Sequence, residues 1–135
     1  MLNYPAKILV AFAEAVSGNK KIFLWLLHNN YPELAALSNS INGDKNAQKW
    51  LAENNYLHFA ILSDAIDGES EAFEWLESNN HQFLSVIARA CNGEPNSIAW
   101  LNTNNLKIFI VICKKIDRVL KHQQARNSDY HNVQF

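Results

Sequence analysis

Residues 43–67 read GDKNAQKWLAENNYLHFAILSDAID, and residues 68–92 read GESEAFEWLESNNHQFLSVIARACN. Laid over one another without a gap, the two share an opening glycine, a Trp-Leu pair and an Asn-Asn pair. The same letters recur on either side. Tryptophan stands at 25, 50, 75 and 100, and glycine at 18, 43, 68 and 93. Asparagine pairs fall at 29–30, 54–55, 79–80 and 104–105. Most of the chain is therefore one 25-residue unit written four times.

Each unit reads as two short helices. The residue after the glycine is Asn19, Asp44, Glu69 or Glu94, and these polar or acidic types suit the start of a helix. Pro95 sits one place further on, where proline is tolerated. The leading helix runs through Trp-Leu and stops at the asparagines. There the first asparagine is expected to take the left-handed conformation and the second to cap the next helix. Asn30 with Glu33 has the spacing of a capping box.

The trailing helix carries apolar columns at Leu34/Phe59/Leu84/Phe109, Leu37/Leu62/Ile87/Ile112 and Ile41/Ile66/Cys91/Ile116. Their i, i+3, i+7 spacing marks one helical face. The glycine of the next unit ends it. Moved back by one unit, this template lands on Leu9, Phe12 and Val16, so the N-terminus supplies a lone trailing helix rather than a signal sequence.

Helices of about ten residues do not stand alone in water, so the units must stack. The expectation is an all-α α-solenoid, a right-handed superhelix of short hairpins with about nine helices, which resembles HEAT-like helical hairpins in architecture. It places a single domain over 1–126. This comprises a cap helix at 5–17, repeats at 18–42, 43–67, 68–92 and 93–117, and a helical extension at 118–126 where Arg118 replaces the glycine. A flexible tail is expected over 127–135.

Composition excludes several functions. Net charge is −1, so no global case for nucleic acid exists. No apolar run is long enough for a membrane span. Cys91 and Cys113 read as buried small hydrophobes in a reducing, cytoplasmic setting. The five histidines occupy unrelated columns and imply no metal site. No catalytic signature is present, so no enzyme and no cofactor are expected. The tryptophans and asparagines, identical in every copy, are read as packing and turn residues.

Function is then sought where the copies differ. The column Asn39, Asp64, Arg89 and Lys114, with Leu57, Gln82 and Lys107 beside it, is the expected partner-binding surface. In the last helix Ile108 and Ile110 put bulky apolar groups where the stack ends. Together with Val119 and Leu120 they are the expected interface of a homodimer, unless the tail (Tyr130, Val133, Phe135) folds back over them. Charge is uneven: residues 33–94 hold ten acids and three bases, and residues 107–126 hold six bases and one acid. The leading expectation is a non-catalytic protein–protein interaction module. The alternative is nucleic-acid binding through the basic last helix.

Overall fold

The computed structural model describes the backbone of residues 1–133 and the side chains of residues 1–124. Nine helices and no strands are present among the described residues. The odd-numbered helices are α1 (Ala6–Val16), α3 (Pro32–Ile41), α5 (Leu57–Ile66), α7 (Gln82–Cys91) and α9 (Lys107–Val133). Between them lie α2 (Lys20–His28), α4 (Lys45–Glu53), α6 (Ser70–Ser78) and α8 (Pro95–Thr103), each nine residues long. Every leading helix starts 25 residues after the one before, so the sequence period is also the period of the backbone.

The turns use the expected residues but divide their duties differently. The second asparagine takes the positive φ: Asn30, Asn55, Asn80 and Asn105 lie between 59° and 72°. The first closes the preceding helix instead. Asn29, Asn54, Asn79 and Asn104 each donate Nδ2 to the carbonyl of the tryptophan four residues back, at 2.7–2.8 Å. The next helix is then capped by Tyr31, Tyr56 or His81, without a side-chain bond. The capping box of Asn30 and Glu33 does not form, because a left-handed Asn30 cannot serve as N-cap. Glu33 is buried and accepts from the Tyr4 hydroxyl at 3.0 Å. At the other turn Asn19 and Asp44 cap their helices as expected: Asn19 Oδ1 accepts from the Ile22 amide, and Asp44 Oδ1 from Asn46 and Ala47. The glycines there have φ of 83–99°, a region that costs any residue with a Cβ.

The odd helices pack on one another in the order α1, α3, α5, α7, α9, and α9 packs in turn on α1. They form a closed inner ring. Side chains stitch it: Asn42 Nδ2 donates to the Val16 carbonyl, Ser40 Oγ to Ser63 Oγ, and Asn92 Nδ2 to the Ala65 carbonyl. At the seam Lys115 of α9 pairs with Glu14 of α1, 101 residues away in sequence. Each even helix packs chiefly on the two inner helices that flank it in sequence, and lies outside them.

One core fills the ring. The three expected apolar columns of the trailing helices are buried throughout, together with Leu9, Phe12 and Val16 of α1. From the outer layer each Trp-Leu pair contributes its leucine: Leu26, Leu51, Leu76 and Leu101 are 0 % exposed. The neighbouring tryptophans stay at the surface, with Trp75 half-buried and the others exposed. Helical geometry turns adjacent residues about 100° apart, so a pair can serve the core with one member only.

The last helix runs further than 126, to Val133. With Arg118 where the earlier units have a glycine in the left-handed conformation, nothing stops it. The side chains of the expected tail, including Tyr130 and Val133, and residues 134–135 lie outside the described residues.

Candidate partner-binding surface

α2 reads KKIFLWLLH, and its apolar groups cannot all point inward. Leu26 fills the core, while Leu24, Trp25 and Leu27 are 49 %, 44 % and 40 % exposed. In the column of Leu24 the other outer helices carry Lys49, Glu74 and Ala99. In the column of Leu27 they carry Ala52, Glu77 and Asn102. Hence α2 alone presents a continuous apolar face. Contiguous exposed apolar surface of this kind marks interaction sites more often than scattered single residues do.

A cavity opens on each side of that face. One, of about 390 Å³, is lined by Ala15, Phe23, Leu24, Asn39 and Asn42. The other, of about 340 Å³, lies between α2 and α4 and is lined by Phe23, Leu27, Ala35, Ala36, Asn39 and Trp50. Asn39 belongs to both. Lys20 borders the first cavity and Asp44 the second. Trp25 is held against Tyr31 with ring centroids 6.4 Å apart, and Trp50 against Tyr56 at 6.3 Å, both stacked. The exposed indoles are thus fixed in place before any partner arrives.

The column expected to bind partners is dispersed around the ring. Asp64 accepts from Gln48 Nε2 at 2.7 Å. Arg89 is held by Glu77 at 2.9 Å and Glu94 at 3.7 Å, and its guanidinium lies 4.6 Å from the Phe73 ring centre. The Arg89 and Ser85 hydrogen bonds pull the Glu77 carboxyl below its usual range. Lys114 lines a small cavity of about 100 Å³ with Ile98, Cys113 and Asp117. Leu57 and Lys107 are exposed, and Gln82 donates to the Glu77 carbonyl at 3.3 Å. Four of these seven side chains therefore serve neighbours or separate cavities. Only Asn39 joins the apolar surface.

Ile108, Ile110, Val119 and Leu120 are partly buried and pack against the chain's own core. Ile110 lies beside Ala90, Cys91 and Ile98 of α7 and α8, and Val119 beside Val16 of α1.

A second cluster gathers where the inner helices begin. The Tyr4 hydroxyl meets buried Glu33, and burial with that charge raises the Tyr4 phenol far above its ordinary range. His58 stacks on His81 at 5.0 Å, and His81 on Trp75 at 5.8 Å. Burial, with the His81 and N-terminal charges, lowers the His58 pKa. Histidines in different columns come together because one precedes a helix and the other lies within the helix next to it. Among the described residues no group of three His, Cys, Asp or Glu side chains is placed to hold a metal ion. No described helix is long and apolar enough to cross a membrane.

The sequence reading missed the α2 face. Its signal was present as Ile22-Phe-Leu-Trp-Leu-Leu27, six apolar residues in a helix whose counterparts are half polar. No family model, curated protein or solved structure matches the chain.

Proposed function

We propose that the chain is a non-catalytic protein–protein interaction module of the helical-repeat type, built as a tightly wound α-solenoid whose two ends meet. The observation that carries this reading is the α2 face, where Leu24, Trp25 and Leu27 stand exposed between two cavities. An apolar surface with fixed aromatic rings favours an apolar ligand segment. The two buried free thiols support a cytoplasmic setting.

The test compares Leu24→Asp and Leu27→Asp with Leu57→Asp, a leucine equally exposed elsewhere. Thermal melting should be unchanged in all three. Partner recovery from lysate should fall in the first two alone, with each recovered protein reconstituted in purified form. Equal recovery by all three variants would remove the α2 assignment.

Nucleic-acid binding by α9 has less support. Lys115 pairs with Glu14 and Lys121 with Asp117 at 3.0 Å, so part of the basic charge is neutralised within the chain. A steep loss of affinity for DNA or RNA with rising salt would favour it.

A further inference from the structure

We propose that the interval between α9 and α1 is a docking site for a short acidic amphipathic helix of another protein, which would lie there as a fifth outer helix. Five inner helices close a ring, and a ring of five has five outward intervals. Four are filled by α2, α4, α6 and α8. Among the described residues none fills the fifth.

The surfaces facing that interval differ from their counterparts in the way an uncovered site requires. Val10 on α1 is 47 % exposed. One, two and three units on, beneath outer helices, its column holds Ala35, Ala60 and Ser85, all buried. On α9 Val111 is 48 % exposed, whereas Ala36, Ile61 and Val86 of its column are partly buried against the core. The two valines thus present apolar surface from opposite sides of the same interval.

The filled intervals also specify the occupant's form. Each takes nine helical residues and buries one leucine completely. Each outer helix begins beside a glycine turn and opens with Asn19, Asp44, Glu69 or Glu94. At the corresponding end of the vacant interval lies a cavity of about 440 Å³, lined by Ser17, Lys115, Arg118 and His122 among others. An acidic residue at the start of the incoming helix would meet Arg118 there. Along the α9 side the cations left once Lys115 has engaged Glu14 are Lys107 and Arg118. The one carboxylate opposite, Glu14, is already engaged by Lys115. This balance selects an acidic helix rather than a basic one.

The inference shares the interaction-module reading but uses a surface separate from α2, so the two can fail independently. The probe is a synthetic peptide with the sequence of residues 69–80, ESEAFEWLESNN, the most acidic outer helix of this chain. It is titrated into the full isotopically labelled protein and followed by backbone amide shifts. Saturable shifts around Val10, Val111 and Arg118 are expected. Val111→Asp and Arg118→Glu should each weaken binding by roughly tenfold or more, and a peptide with its glutamates changed to lysine should not bind. Leu24→Asp, which removes the α2 face, should leave the titration unchanged. Val111 is half-exposed, so its variant is expected to melt like the parent, and Val10→Asp provides an independent check from the α1 side. Shifts confined to α2, no shifts at millimolar peptide, or equal binding by all variants would overturn the proposal. So would sedimentation showing a dimer that Val111→Asp dissociates, because the interval would then be filled by a second copy.

Discussion

Closing the ring makes α1 a neighbour of the last helix as well as of the third, and Phe12→Ala tests that arrangement. Phe12 is 1 % exposed in the common core. Removing a buried phenyl costs about 3–5 kcal/mol, part of it for the cavity left behind. A domain of this size is stable by roughly 5–15 kcal/mol, so the loss takes a large share of the total. The midpoint of thermal unfolding should drop by roughly 12–20 °C. An open row of repeats would confine much of the damage to its first helices, since each repeat supports only its neighbours. In a ring, α1 also braces α9 through Lys115 and the seam. Hydrogen exchange resolved by peptide should therefore quicken in α8 and α9 as much as in α2 and α3. One tryptophan in each outer helix lets urea unfolding be followed by fluorescence, which should remain a single transition. Faster exchange limited to α1–α3, with α9 still protected, would refute the reasoning.

Other outcomes follow from single groups. The His58 pKa is lowered from 6.5 by burial, so folding disfavours its proton; stability should be full above 6.5 and fall as pH drops below it, and His58→Phe should flatten that fall in melting temperature below pH 6.5. Glu14 and Glu77 are lowered by Lys115 and Arg89, so their contribution should be lost only below 4.5. Gly68 has φ +90° with nothing within 4 Å of an added Cβ, so Gly68→Ala should cost about 1–2 kcal/mol in urea titrations from backbone conformation alone. Asn55→Gly, at a φ of 69°, should be nearly neutral in the same assay, and Asn55→Val clearly destabilising. Cys91 is buried and its thiol is pushed well above 9.0 by the Cys113 hydrogen bond and by burial; iodoacetamide should label it only as fast as the chain opens.

The helices could be read from the chain because glycine, Trp-Leu and Asn-Asn punctuate it at a fixed spacing, and the buried columns of the trailing helices follow from their periodicity. Two things escaped for physical reasons. Which asparagine turns left-handed depends on where the i−4 carbonyl is free, and both residues of each pair are able to do it. Ring closure depends on the rotation between successive hairpins, a sum of small packing choices that no single residue declares. The same holds for the partner column: Asn39, Asp64, Arg89 and Lys114 lie on four different inner helices, which the ring spreads around its circumference. On α2 the failure was different. The six-residue apolar run was legible, but which of its members find room inside depends on the packing, and Leu24, Trp25 and Leu27 do not.

The seam also bears on how such a chain can be rewired. Neighbouring inner helices run in the same direction, so the end of α9 beyond Asp117 and the start of α1 lie at opposite rims. A connection between them must recross the molecule, and every existing connection does so with one nine-residue outer helix and its two turns. One further unit-length segment, from glycine turn to asparagine turn and in place of the chain after Asp117, would join α9 to α1 and leave a molecule without ends. Any of the other turns could then be opened in its place, so the order of the helices along the chain would become a matter of where it is cut. The number of units would not be free in that way. A sixth inner helix would widen the ring around a core whose leucines, isoleucines and phenylalanines already meet across five.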